Sequence, residues 1–180
     1  MQARIEEVLG YLDRTRADLR RAVEQVPPDR RQEQPAEGRW SVAQVLEHLG
    51  IVEGRSAAAI SDSLNAGRTA GRLPPERETG SVLATIDTPR IVDRSRPRTA
   101  SPASLPVSGM DAEEAWRVLE QVRHGLREAL LSADGLALGE IVRPHPLLGE
   151  ADLYQWVAFV GAHEARHTAQ VREIGQALGV

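Results

Sequence analysis

A helix-start signal repeats three times along this chain of 180 residues, each time at the head of a long stretch of apolar residues at helical spacing. Ser41 is followed three residues on by Gln44, Asp111 by Glu114, and Asp152 by Gln155. A Ser or Asp side chain at such a position accepts a bond from an otherwise orphaned backbone N–H. The Glu or Gln three residues later can return the bond to the cap. Behind Ser41 the stripe reads Val45, Leu49, Val52, Ile60; behind Asp111, Leu119, Val122, Leu126, Leu130; behind Asp152, Leu153, Trp156, Val160, Ile174. A further amphipathic segment over about 2–26 carries Ile5, Val8, Leu12, Leu19 and Val26 and stops at Pro27-Pro28. Each stripe lies on one face of its helix and must be buried against another. The implied fold class is all-α, a four-helix bundle. The second helix is expected to run from Ser41 to about Asn65 and end at Gly67, the third to reach about Ala133, and the fourth about Leu178.

Between the second and third helices, residues 67–109 hold Pro74, Pro75, Pro89, Pro97, Pro102 and Pro106, many arginines and no sustained period. This stretch reads as a long crossover, with a short helix or extended piece around 81–86. No internal repeat is evident, and the length fits a single domain over 1–180.

Composition removes several classes of function. The net charge of −4 provides no basic field for nucleic acid. All 22 basic residues are arginine, so no lysine is present to form a Schiff base. Cysteine is absent, which excludes disulfides, a thiolate nucleophile and a cysteine-containing zinc site. The first residues mix charge with apolar side chains, and no apolar run approaches the ~18 residues of a membrane span. A cytoplasmic protein acting on a small molecule, without nucleic acid or membrane partners, is the expectation. A homodimer is compatible with the fold, but no specific interface is evident.

The seam of the last helix is where chemistry concentrates. It runs Leu153, Trp156, Val160, His163, His167, Gln170, Ile174, with polar groups in its middle. His163 and His167 are four apart, so both imidazoles can reach one ion. His48 borders the buried face of the second helix and is the candidate third ligand. Three neutral imidazoles with an open position suit Zn²⁺, Ni²⁺ or Fe²⁺. The alternative is that these are core-edge histidines satisfied by hydrogen bonds.

His163-Glu164-Ala165-Arg166-His167 also matches the zincin signature, with Glu164 as general base. That reading fails on context. Only 168–180 follows, without another histidine and with only Glu173 on the same helix. Glu164 is then expected to be a solvated charge beside the site. Gln170 is placed to hydrogen-bond a ligand histidine or to pack at the bundle edge. His145, between Pro144 and Pro146, is expected in an exposed loop, with a place at the mouth of the pocket as the alternative. His124 is expected at the surface, and Arg55, which shares a face with His48, is expected to be solvated, with an anion contact as the alternative. The aromatic residues Trp40, Trp116, Trp156, Tyr154 and Phe159 read as core or staple residues, Trp40 packing onto Val45.

Three pieces of the chain resemble the DinB/YfiT-like superfamily of metal-binding four-helix bundles. They are Trp40 to His48, His145-Pro146 through Gly149 to Trp156, and His163-Glu164-Ala165-Arg166-His167-Thr168-Ala169-Gln170. The resemblance implies a divalent metal held by His48, His163 and His167. It further implies a thiol-dependent transferase or isomerase activity in which the metal activates a low-molecular-weight thiol such as mycothiol or bacillithiol. The absence of cysteine agrees with an external thiol. A metal-dependent hydrolase and a non-catalytic metal-pinned bundle or binding module stand as alternatives.

Overall fold

In the computed structural model, which describes residues 1–71, 73–96 and 98–180, four long helices form the bundle. They are α1 (Ala3–Glu24), α2 (Val42–Thr69), α4 (Ala112–Ser132) and α5 (Leu153–Leu178). A short α3 (Thr88–Val92) lies in the crossover. Helix α1 packs mainly on α5 and α2 mainly on α4, while α2 and α5 also face each other. No helix is long and apolar enough to cross a membrane among the described residues.

The three start signals work as the sequence predicts, with one difference. Ser41–Gln44 and Asp152–Gln155 form full reciprocal capping boxes. Asp111 accepts from the Glu114 N–H at 2.8 Å, but the Glu114 side chain does not return the bond. Helix α2 continues past Gly67 to Thr69.

The crossover is stapled rather than structureless. It contains a turn of 3₁₀ helix at Leu83–Thr85, inside the expected 81–86 region, then α3, capped by Asp87. Pro97, part of that proline-rich stretch, lies outside the described residues. Glu47 near the start of α2 accepts from the backbone N–H groups of Val107 and Ser108, each at 2.8 Å. Glu7 of α1 accepts from Val82 N–H at 2.7 Å.

A β-hairpin, β1 (Val142–His145) and β2 (Gly149–Asp152), precedes α5. The signal for it was present in the sequence. A three-residue connection, Pro146-Leu147-Leu148, ends at Gly149 with φ of 76°. That left-handed conformation, where the chain turns into β2, is one that glycine adopts at little cost.

The interior holds two apolar clusters separated by a layer of charge. One cluster contains Leu12, Ile60, Leu126, Leu130, Leu153 and Val157; the other contains Leu19, Leu46, Leu49, Leu119, Val171 and Ile174. Between them each bundle helix supplies one charged residue: Arg16, Glu53, Arg123 and Glu164. Arg16 donates to Glu164 at 2.6 Å and to Glu53 at 3.0 Å. Arg123 donates to Glu53 at 3.1 Å and to Glu164 at 3.2 Å. Thr15 adds a hydrogen bond to Glu164 at 2.7 Å.

Helices α1 and α5 pack closely at Gly161. A Cβ there would lie 2.5 Å from Cε1 of Tyr11, well inside contact distance. Gly161→Ala is therefore expected to force α1 and α5 apart and cost roughly 1–3 kcal/mol. Chemical denaturation would show this as a lowered midpoint; an unchanged midpoint would mean that the Tyr11 ring moves freely aside.

Candidate metal centre

His48 on α2 and His163 and His167 on α5 converge. One ring nitrogen from each lies within 4.8 Å of the others. The His163 Nε2 is 3.4 Å from His48 Nε2 and 3.2 Å from His167 Nε2. No fourth His, Cys, Asp or Glu joins this group among the described residues.

The partners of the outer nitrogens determine what the inner ones present. His48 Nδ1 lies 2.7 Å from the Ser104 carbonyl, which can only accept, so that nitrogen carries the proton. His167 Nδ1 lies 2.8 Å from Gln170 Oε1. The same amide oxygen also faces an Arg94 N–H at 3.4 Å, which orients the amide. Both neutral rings therefore turn an unprotonated Nε2 inward. His163 could donate one proton to one of these nitrogens but not to both, so a lone pair remains without a partner. A cation resolves that mismatch. Two nitrogens bound tetrahedrally to Zn²⁺ at 2.0–2.1 Å stand about 3.3–3.4 Å apart, which matches the two Nε2 separations.

Burial keeps these imidazoles neutral. It drives the His167 pKa down to about 3, helped by repulsion from His48 and opposed by the Gln170 hydrogen bond. Burial, with His167 and His48 close by, holds His163 well below its ordinary value. Burial lowers His48 too, against the pull of the Ser104 carbonyl. Unfolding would return each ring to a pKa near 6.5. The unfolded chain then takes up protons that the folded metal-free protein refuses, and stability falls with pH. The loss begins near pH 6.5 and for His167 continues to about pH 3. The thermal midpoint of metal-free protein is expected to drop between pH 7 and pH 5; a flat profile would contradict the neutral-imidazole assignment.

Further partners reach the cluster from the crossover and α5. Arg94 donates twice to Glu173, at 2.7 and 2.6 Å, so the contact continues from Glu173 through Arg94 and Gln170 to His167. Removing the hydrogen-bond partner of a ligand histidine typically weakens metal affinity 10–100-fold. Gln170→Ala is expected to fall in that range in a competition titration with a chromogenic chelator, and an unchanged affinity would show that His167 needs no orienting partner. Arg166 is buried and donates to the carbonyls of Ile91, Asp93 and Arg96, which ties the crossover down beside the histidines.

The histidines open onto a cavity of about 720 Å³, within the range of small-molecule sites. Two sequence expectations fail here. His145 is not an exposed loop residue. It sits on β1, 6 % exposed, packed edge-on against Trp156 and Phe159, and lines the cavity. Its Nδ1 accepts from the backbone N–H groups of Leu147 and Leu148, so the neutral ring carries its proton on Nε2. Burial lowers its pKa to about 4.

Glu164 is not a solvated charge. It is 1 % exposed and lies in the charged layer, bonded to Arg16, Arg123 and Thr15. Its carboxylate is thus committed to two arginines and a hydroxyl, which leaves no room for a peptidase base.

Other expectations hold. Gln170 bonds His167, and His124 is exposed on α4. Arg55 is exposed and lines the cavity. Trp40 packs against the cluster containing Val45, but its ring also lies 4.9 Å from His48 and 6.4 Å, stacked, from His167.

Comparison with known proteins agrees with this architecture. The family model for the DinB superfamily matches residues 11–171. The uncharacterized protein YuaE of Bacillus subtilis (strain 168) is 27% identical over 146 residues, 81% of this chain and 83% of YuaE. Among solved structures, TT2238, described as a four-helix bundle protein, superposes with a TM-score of 0.58 at 20% identity. That match covers 94% of this chain and 98% of TT2238.

Proposed function

This chain belongs to the DinB superfamily, and on that premise we propose that it is a metal-dependent enzyme of the thiol S-transferase type. His48, His163 and His167 would hold one divalent ion, and a low-molecular-weight thiol would enter from outside. The observation that carries this reading is a three-imidazole cluster, lacking a fourth protein ligand among the described residues, at the wall of a cavity of about 720 Å³. A structural metal site closes its shell with protein ligands, whereas a catalytic one keeps a position open.

When bound, the ion would supply Lewis acidity, lowering the pKa of a water or thiol and polarising a carbonyl. The chain's own residues set up the rest. The bonds to Ser104 and Gln170 fix the tautomers of His48 and His167 and so hold their lone pairs inward. The chain has no cysteine, so the sulfur nucleophile must arrive with a second molecule. Trp156 and Phe159 line the cavity beside the histidines, the Phe159 ring stacked 5.5 Å from that of His163, and give that wall an apolar face. His145, neutral at pH 7 with its proton on Nε2, is a hydrogen-bond donor on the same wall.

The test is turnover. Protein loaded with Zn²⁺, Ni²⁺ or Fe²⁺ would be offered bacillithiol, mycothiol or cysteine together with an aryl chloride electrophile, following chloride release and thioether formation. Metal-dependent turnover that is lost in a His48→Ala plus His163→Ala variant is expected. Stoichiometric metal with no turnover above buffer for any thiol would overturn the transferase reading and leave a metal that pins α2 to α5.

A further inference from the structure

Charge is distributed unevenly between this protein and its cavity. The whole chain carries a net charge of −4. Among the described residues the cavity wall nevertheless holds five arginines, Arg39, Arg55, Arg94, Arg98 and Arg166, against one carboxylate, Glu173. A surplus of one sign in a concave, partly desolvated site attracts the opposite charge more strongly than the same residues would on an open surface.

The five arginines are not equivalent. Arg94 is neutralised by its paired bonds to Glu173. Arg39 makes no ion pair among the described residues, but it stands close enough to Glu173 for its charge to act on that carboxylate. Arg166 spends its N–H groups on the crossover carbonyls. Arg55 and Arg98 differ. Both are exposed to the cavity, and neither has a carboxylate partner among the described residues. Among the described residues the Arg98 side chain makes one bond, from Nη2 to the Arg90 carbonyl at 3.0 Å, and the Arg55 side chain makes none. Arg55 is also fixed relative to the histidines, since it stands two helical turns beyond His48 on α2, about 10 Å along the axis.

We propose that the cavity binds a small molecule with an anionic group, a carboxylate or a phosphate, on an apolar body, and that Arg55 and Arg98 hold the anion. The planar guanidinium fork matches both groups in two-point fashion. The apolar body would lie on Val52, Ala59, Ile91, Leu147, Trp156 and Phe159, which line the same space. The inference uses the cavity assigned above as a substrate site and names the substrate class, yet it does not depend on an ion at the histidines.

Calorimetric titration of chelator-treated, metal-free protein with 2-naphthoate, 2-naphthyl phosphate and the neutral 2-naphthamide tests it. At least one of the anions is expected to bind roughly tenfold or more tightly than the amide, the scale of a charge-assisted pair. Whichever of the two binds more tightly identifies the anion. In an Arg55→Gln plus Arg98→Gln variant the anion should weaken to the level of the amide while the amide is unaffected. Both residues are exposed, so folding should be preserved, and circular dichroism would check it. The proposal is overturned if the anions bind no better than the amide, or if the variant retains the preference. Because no metal is present, that failure would leave the histidine centre untouched, and failure of the histidines to bind metal would leave the anion site untouched.

Discussion

Glu164→Ala should destabilise the protein by about 3–5 kcal/mol, the cost of breaking a buried ion pair by removing one partner. Glu164 accepts from Arg16 at 2.6 Å, Arg123 at 3.2 Å and Thr15 at 2.7 Å, and all four side chains are nearly inaccessible to solvent. Deleting it leaves Arg16 and Arg123 sharing Glu53 as their one buried carboxylate, with the more exposed Glu120 still bonded to Arg16 at 2.9 Å. The loss is large because the stranded charges cannot reach water. It says little about the net worth of the intact layer, since four well-packed apolar residues could be equally stable. What the layer does supply is register. One charge comes from each bundle helix, so a helix that slides or rotates breaks bonds to two neighbours at once. On α5 this holds the turn that carries His163 and His167. Equilibrium urea denaturation measures the effect, with Glu164→Gln as the milder control that keeps the size and part of the hydrogen bonding. A change below about 1 kcal/mol for the alanine variant would mean that the layer is hydrated and contributes little.

The second large effect concerns His163. Its Nε2 stands between those of His48 and His167, at 3.4 and 3.2 Å. His163→Ala removes the central donor and should weaken divalent-metal affinity by more than the 10–100-fold expected for a supporting residue. The same loss is readable as stability. A metal present at a thousand times its Kd stabilises the folded state by about 4 kcal/mol, so saturating Zn²⁺ should raise the wild-type thermal midpoint clearly and that of the variant hardly at all. An equal midpoint rise in both would place the binding elsewhere, for example at His124 or the exposed carboxylates.

Much of this was legible in the sequence, for identifiable reasons. The caps at Ser41, Asp111 and Asp152 are local devices, so they mark helix starts without knowledge of the rest of the fold. His163 and His167 are one helical turn apart, and His48 lies on an apolar face, so their convergence followed once two helices were packed together. The burial of Glu164 is not legible locally, because a charge is normally solvated and its partners lie on other helices. A clue was present. Arg16 lies between Leu12 and Leu19, Glu53 follows Leu49, Arg123 lies between Leu119 and Leu126, and Glu164 follows Val160, all at core spacing. Opposite charges on four apolar stripes point to one buried layer. The two prolines around His145 point to a loop, while the hairpin depends on Gly149 and on pairing with 149–152. The crossover offered least. Its order comes from Glu47, Glu7 and Arg166 on the bundle helices rather than from any period of its own.

The most direct test of the whole account is metal stoichiometry. Untagged protein, loaded with Zn²⁺ and dialysed, would be analysed by mass spectrometry for metals alongside the His48→Ala plus His163→Ala variant. About one ion per chain is expected for the wild type and none retained by the variant. Absence of bound metal in the wild type, or full metal content in the variant, would contradict it.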